Sequence, residues 1–531
     1  MGNKKTFFAT GGLLLAVVIP FGVWLARYLN LDFWYDEVYT LKQYVFVPLA
    51  VIPTHYPNPN NHIFFNLINH LFVTALGIRD LSTLMAHPET IRGLMMAYTV
   101  LTLACLGWLC FRFFNHRVAV LALLCLVTSV PYYNFVLQVR GYSLSLLLAV
   151  WVLYCLLASA EKLTWKNGIG LVTFTALLVY TVPSNLYLIA SMILFLGLVV
   201  AAPALLGFYR RLQAGHTAGG LVITLKSWFE ADSLETGAFK SYPFREALLL
   251  GAGCLLAGLF YLPVMRDVFQ NAKTQGVDLF SLKTRLLLFP RTMNYFFSFR
   301  YALLPLAVLG LAACIRSKQR IYLERCLFCM FVMVAPFAMN FVLWNEPADR
   351  VFVVLLIPFV LLLAMSLDGL IGAIPWLAIR PWFALVLAIL YCQATFFFAL
   401  ENRDARLLAD IHQAQVSQNL FYNYYQAFYQ PSRIMALYKA LDPRGLSPLT
   451  ILNYGDGVAV PAYLDQAGIQ TAKVVSTSQI RLYSGSPTYV LTAFPDLFIQ
   501  LIHRSYKNAD CELAQAEVGF TNLFKCSLSL P

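Results

Sequence analysis

Charge is what this sequence has least of. Only 12% of its 531 residues are Asp, Glu, Lys or Arg, whereas soluble domains carry about 25%. Hydrophobic residues make up 60% and the mean hydropathy is +0.67, so an ordinary soluble domain is excluded and a polytopic membrane protein is expected. Acidic residues are the scarcer sign, 26 against 38 Lys and Arg, giving a formal net charge of +12. A basic stripe is also missing. The positive residues sit in short clusters between apolar runs, the pattern of topology signals and lipid-phosphate contacts, so no nucleic-acid partner is expected. There are no internal repeats and no low-complexity segments. A signal-peptidase site of small residues is lacking after the first apolar run, "FFATGGLLLAVVIPFGVWLA", which is therefore read as a retained first helix.

What is present is a series of apolar runs. About eleven are long enough to span, centred near residues 18, 102, 125, 150, 176, 196, 255, 308, 333, 359 and 390. The connections alternate in character. One set ("MGNKK", "FRFFNHR", "EKLTWKNG", the stretch with "FYRRLQ", "RSKQRIYLER" and "AIRP") holds dense Lys/Arg clusters and is expected to be cytoplasmic, by the rule that such clusters stay inside. The other set (residues 30–90, "PYYNFVLQVR", "TVPSN", the long loop from Arg266 to Arg300, "WNEPADR", and the tail from about 401) is then extracytoplasmic. The basic residues of the long 266–300 loop run against that rule, but long loops are less bound by it. The expectation is a multi-pass protein of the bacterial inner membrane, with its N-terminus cytoplasmic and its C-terminal part periplasmic.

Within the first of these loops, "NNHIFFNLINHLFVTALG" carries apolar residues at helical spacing and is too short to span, so it reads as a helix lying in the interface. From about 401 the composition turns polar, with alternating strand and helix signals. Residues 1–400 are therefore read as a transmembrane domain and 401–531 as an extracytoplasmic α/β domain. The latter has no G-x-G-x-x-G and no P-loop, which leaves no nucleotide-site motif in it. Most of the eleven cysteines lie in apolar runs, where Cys packs as a small hydrophobe, and the C-x-x-C of Cys326 and Cys329 is read that way. Cys511 and Cys526 lie in the polar tail. A disulfide between them is one of two open readings, because spacing cannot show that two thiols meet.

Four polar groups sit where apolar runs meet the extracytoplasmic connections: Asp36–Glu37 in "DFWYDEVY", His62 in "PNPNNH", Arg140 and Tyr142 in "QVRGYS", and Glu346, Asp349 and Arg350 in "WNEPADR". Short connections pin them near one surface. Ionisable residues at such depth are candidates for function. Two arginines suit a phosphate, which they bind bidentately and always charged, and a carboxylate beside them can take a proton from an acceptor hydroxyl. Arg291 and Arg300 in the long loop are further candidates for a phosphate. Blander readings stand beside these. Asp36 with Glu37 is also a good helix start, the arginines can be headgroup anchors, His62 can be a hydrogen-bonded core residue, and Glu346 and Asp349 can serve Arg350 alone. A transporter or flippase of an anionic lipid-linked substrate is the alternative function. It calls for charges at span centres and repeated halves, and neither is found.

The same motifs, "DFWYDEVYTL", "PNNHIFFNLINHLF", "QVRGYSLSLLLAV" and "DRVFVVLLIPFVLLLA", in this order, resemble those of the GT-C glycosyltransferases, in particular the bacterial set related to protein O-mannosyltransferases and lipid A aminoarabinose transferase. The resemblance covers about residues 1–400. It implies a GT-C fold and a polyprenyl-phosphate-linked sugar donor. Sugar would be transferred with inversion to a glycan, lipid or protein acceptor at the outer face of the membrane. It also implies Asp36 as general base, with Glu37 as the acid that follows it, and Arg140 and Arg350 on the lipid phosphate. Many relatives carry an acid just before the arginine of the third motif; here Gln138 and Val139 stand there. Some relatives need a divalent metal and others do not, so a metal cofactor is left open.

Overall fold

The computed structural model describes residues 2–58, 61–213, 243–274, 282–298, 300–316, 320–343, 349–379, 381–412, 431–441, 449–452, 459–468, 473–475, 488–492, 495–506, 509–518 and 521–528. In chain order the helices are α1 (Gly2–Ala26), α2 (Tyr35–Thr40), α3 (Ile63–Ala75), α4 (Leu81–Ala86), α5 (Pro88–Phe113), α6 (His116–Val127), α7 (Val130–Phe135), α8 (Tyr142–Glu161), α9 (Trp165–Thr181) and α10 (Leu186–Gln213). They continue with α11 (Pro243–Tyr261), α12 (Met265–Thr274), α13 (Leu282–Phe297), α14 (Leu303–Arg316), α15 (Arg320–Leu343), α16 (Leu356–Ala373), α17 (Pro375–Ile379) and α18 (Pro381–His412). The last three are α19 (Pro431–Leu441), α20 (Ala459–Gln466) and α21 (Pro495–Ser505). All eleven centres read from hydropathy fall inside helices. Among the described residues, seven helical segments are long and apolar enough to cross a membrane; α6 and the apolar parts of α1 and α14 are shorter.

Local sequence explains the helix ends. Pro88 opens α5 with Glu89 in its first turn, where a missing N–H and a negative charge are both favourable. Asn115 caps α6 by accepting the N–H of Val118 at 2.9 Å, and Thr164 caps α9 through Asn167 at 3.2 Å. The helices meet where small residues let backbones approach. On α14, a Cβ at Gly310 would lie 1.8 Å from the carbonyl oxygen of Ser366 on α16, so only glycine fits that crossing.

Among the described residues, connections of the two sets lie at two ends of the bundle. At one end Arg112 pairs with Glu161 at 2.6 Å, Arg325 donates to the carbonyl of Phe113, and the His116 ring stacks on Trp382. At the other end lie α2, α3 and the turns at 138–141 and 181–185. The expected interfacial helix is α3, whose Ile63, Phe65 and Val73 are buried.

The composition shift at 401 does not coincide with a break, since α18 runs from 381 to 412 without interruption. Beyond it, five strands, β1 (Leu449–Leu452), β2 (Lys473–Val475), β3 (Thr488–Thr492), β4 (Ala509–Val518) and β5 (Thr521–Leu528), form one sheet in the order β2-β1-β3-β5-β4. The first three strands in that order are parallel, and β5 and β4 are added antiparallel. Helix α21 covers the sheet through Phe498 and Ile502 against Val490 and Phe524. Cys511 and Cys526 are register partners on β4 and β5 and are joined by a disulfide.

This tail is docked on the first loop. The carboxylate of Asp32 accepts the N–H of Ser432 at 2.7 Å, in the first turn of α19. The Tyr463 hydroxyl on α20 accepts the N–H of Phe33 at 2.6 Å and donates to its carbonyl at 3.3 Å. Both anchor points lie within four residues of Asp36.

Candidate active site

The site is built on α2 and the two turns that face it. Phe33, Trp34, Val38 and Leu41 are almost fully buried, and each contributes roughly 1.5–3 kcal/mol when taken from water. That packing fixes the α2 backbone and sets Asp36 and Glu37 in its first turn, both buried. The neighbours point to different partners.

Asp36 faces two arginines. Its Oδ2 lies 3.0 Å from a guanidinium nitrogen of Arg140 and accepts a hydrogen bond from Arg350, also at 3.0 Å. Arg140 is buried in the turn before α8, and Arg350 opens the 3-10 turn Asp349–Leu355. Arg350 thus reaches a carboxylate 314 positions away in the chain, on the same oxygen that Arg140 meets. Two guanidinium groups that converge on one oxygen lie close enough to share a phosphate group in its place.

Glu37 is fully buried and faces inward. Arg92 of α5 reaches it at 3.2 Å, while its carboxylate accepts the N–H of Trp34 at 3.0 Å and that of Val139 at 2.8 Å. Burial pushes the carboxyl upward from its ordinary range, opposed by the Arg92 charge and the two N–H donors. Arg92 was not singled out from sequence. It also donates to the carbonyls of Tyr28, Leu31 and Asp32, holding the end of the α1 connection. The signal was available in "PETIRGLMM": an arginine in the second turn of an apolar span is costly there unless it has partners.

His62 precedes α3 and is buried. Its Nδ1 accepts the N–H of Gly141 at 2.8 Å, and its ring meets Tyr142 edge-on at 5.8 Å. Burial lowers its pKa well below the usual histidine value, and the nearby Arg140 and Arg350 lower it further. The imidazole is therefore neutral. The Tyr142 ring also lies 5.9 Å from the Arg140 guanidinium carbon. Tyr44 and Tyr56, both buried, lie within electrostatic reach of Arg140, and burial raises both phenols above their ordinary value, so they remain protonated donors.

The remaining candidates lie elsewhere. Arg300 is buried, donating to Thr128 Oγ1 at 2.8 Å and to the carbonyls of Phe296 and Phe297, so its guanidinium is engaged in holding the turn after α13. Arg291 is partly buried on α13. Glu346 and the side chain of Asp349 lie outside the described residues. Among the described residues, no group of three or more His, Cys, Asp or Glu converges as metal ligands do. Asp36 and Glu37 each face guanidinium groups, an arrangement that does not fit a divalent cation.

Comparison with solved structures sets this arrangement in context. ArnT from Cupriavidus metallidurans in the apo state matches over 98% of both chains with a TM-score of 0.52 at 11% identity. The same protein bound to undecaprenyl phosphate matches over 97% of this chain and 98% of that chain, with a TM-score of 0.51 at 13% identity. The chain has the GT-C fold. A likeness to the archaeal oligosaccharyltransferase AglB from Archaeoglobus fulgidus, at a TM-score of 0.44 and 13% identity over 88% of this chain and 64% of that chain, is too distant to carry an argument. No family model matches the sequence, and a search of curated proteins gave no match. The fold likeness spans the C-terminal sheet as well as the bundle, whereas the motif resemblance covered about residues 1–400.

Proposed function

We propose that this GT-C protein is an integral-membrane glycosyltransferase. It moves a sugar from a polyprenyl-phosphate donor to an acceptor hydroxyl, with inversion and with Asp36 as general base. The observation that carries the reading is the convergence of Arg140 and Arg350 on one oxygen of Asp36. It is supported by the fold shared with an ArnT structure that holds undecaprenyl phosphate.

The chemistry needs three things in one place: a holder for the leaving phosphate, a base for the acceptor proton, and a fixed angle between them. The acceptor oxygen attacks the anomeric carbon from the face opposite the phosphate. The bond from that carbon to the phosphate oxygen breaks, its electron pair leaves with the polyprenyl phosphate, and the acceptor proton passes to Asp36. The two arginines stabilise the charge that grows on the phosphate, where electrostatic stabilisation contributes most. Asp36 holds these same guanidiniums through one oxygen. A donor phosphate competes for them and releases the carboxylate to the acceptor, so the donor binds first. The acceptor class is a glycan, lipid or protein hydroxyl on the side of the bacterial inner membrane that the site faces, placed outside by the positive-inside pattern.

The test is transfer of label. Purified protein is given radiolabelled polyprenyl-phosphate sugars and bacterial membrane fractions, and label should pass to one fraction with release of polyprenyl phosphate. Movement of intact labelled donor across a vesicle bilayer, without cleavage, would instead establish a flippase and sink the proposal.

A further inference from the structure

The turn that carries Arg140 is tied to the first loop on both sides. Glu37 accepts the N–H of Val139 at 2.8 Å through Oε1, and His62 accepts the N–H of Gly141 at 2.8 Å through Nδ1. Val139 and Gly141 are the two chain neighbours of Arg140. Neither bond belongs to regular structure, since α8 begins only at Tyr142. Both acceptors are buried, Glu37 at 0% and His62 at 3% exposure, so water does not compete for the two N–H groups. The close approach also selects the residue at 141. A Cβ there would lie 2.8 Å from Val182 and 3.1 Å from His62 Nδ1, which only glycine avoids. Arg92 completes the chain from behind by pairing with Glu37 at 3.2 Å.

We infer that His62 and Glu37, with Arg92 behind Glu37, are positioning residues that clamp the backbone N–H groups of Gly141 and Val139, the two chain neighbours of Arg140, and so aim its guanidinium at the donor phosphate. The inference rests on the reading of Arg140 as a phosphate ligand. It assigns His62 a task that needs no contact with substrate. A bidentate guanidinium–phosphate pair is directional, and a small misplacement of a holding group costs much of its effect. An imidazole that accepts through Nδ1 carries its proton on Nε2, so only the neutral ring can hold Gly141.

The test uses undecaprenyl phosphate as the probe and the full-length protein in detergent. Wild type should bind it, and Arg140→Ala should bind about tenfold more weakly or worse. His62→Ala should lose about fivefold, while His62→Asn, which sets Oδ1 where Nδ1 was, should stay within about twofold of wild type. In the double variant His62→Ala with Arg140→Ala, the losses should not add, because His62 acts through Arg140. Additive losses would make His62 a direct phosphate contact and overturn the clamp, as would wild-type affinity in His62→Ala. A second measurement needs no ligand. Hydrogen exchange of the peptide spanning 136–142 should speed up in His62→Ala and return toward wild type in His62→Asn. If Arg140→Ala binds as wild type does, the phosphate-ligand reading fails, and unchanged exchange in His62→Ala overturns the clamp separately.

Discussion

Each end of the bundle holds a buried aspartate beside arginine, and the two are built differently. They lie at opposite ends of α5, whose 26 residues span about 39 Å. At the far end Asp368 on α16 pairs with Arg117 through one oxygen. Its other oxygen accepts from Asn115 at 2.9 Å and from Tyr322 at 3.3 Å. Both oxygens are occupied, by one cation and two neutral donors, and Asn115 also caps α6. That is a knot tying α6, α15 and α16 together. At the near end one oxygen of Asp36 is shared by two guanidiniums from segments distant in sequence. Neutral donors satisfy a carboxylate and stop there. Two cations on one oxygen make an arrangement that an anion with more oxygens can take over. On the proposed reading, the difference separates an aspartate that holds helices from one placed to react.

The sharpest way to break this comparison is to neutralise each aspartate in turn. Asp36→Asn removes the proposed base and should cut sugar transfer by at least about a hundredfold, the usual lower range for loss of general-base catalysis. It also removes the negative charge that the two arginines share, so affinity for undecaprenyl phosphate should hold or rise. Weaker binding in that variant would mean that Asp36 supports the phosphate site rather than competing with phosphate for it. Asp368→Ala should behave in the opposite way. It leaves Arg117, itself 26% exposed, without its carboxylate, and should lower stability by about 2–4 kcal/mol, seen as an earlier thermal transition in detergent. Affinity for undecaprenyl phosphate should stay at the wild-type value, and a loss of binding would show that the two ends are coupled.

The parts of the molecule legible in sequence were those with a local signature. Apolar run length alone put eleven centres inside helices, seven of them in described segments long and apolar enough to cross a membrane, because a span must satisfy its backbone internally whatever its neighbours are. The meeting of Asp36, Arg140 and Arg350 was also within reach, since short connections leave their ends little freedom. What stayed hidden depends on long-range packing without a periodic mark. Arg92 reads as one more basic residue near a helix start until Glu37 and the carbonyls of 28–32 are seen around it. The split of tasks within Asp36–Glu37 was equally invisible. Two adjacent positions on one helical turn face about 100° apart, and only the surrounding fold decides which one meets Arg140 and Arg350 and which meets Arg92.

A smaller effect sharpens the comparison through pH. His62 is held neutral beside Arg140 and Arg350, so its folded pKa lies below the unfolded value near 6.5. A group with a depressed folded pKa contributes stability that is complete above its unfolded pKa. Below about pH 6.5 the unfolded chain binds a proton that the folded chain refuses. Stability then falls by up to about 1.4 kcal/mol per pH unit until the folded pKa is reached. In His62→Asn this part of the slope should vanish, while the remainder of the pH dependence persists. An unchanged slope in that variant would show that His62 is not the group responsible.

The smallest predicted effect concerns the tail. Tyr463 grips the peptide units of Phe33 with one hydroxyl, accepting from the N–H and donating to the carbonyl, three residues before Asp36. The phenol is buried at 1% exposure, so Tyr463→Phe leaves the Phe33 N–H without this acceptor in a place water does not reach. The cost should be about 1–2 kcal/mol, near that of one buried group left unsatisfied. The reach of that cost is the informative part. If the tail only covers the loop, transfer by Tyr463→Phe is unchanged once the protein is folded. If it braces α2, turnover should fall by about twofold to tenfold with affinity for undecaprenyl phosphate intact, because Phe33 and Asp36 belong to one short stretch while the neighbours of Arg140 are held by Glu37 and His62. A fall in both turnover and affinity would show that the tail reaches the Arg140 turn as well, through the Phe33–Trp34 peptide unit, whose carbonyl accepts from Tyr463 and whose N–H donates to Glu37.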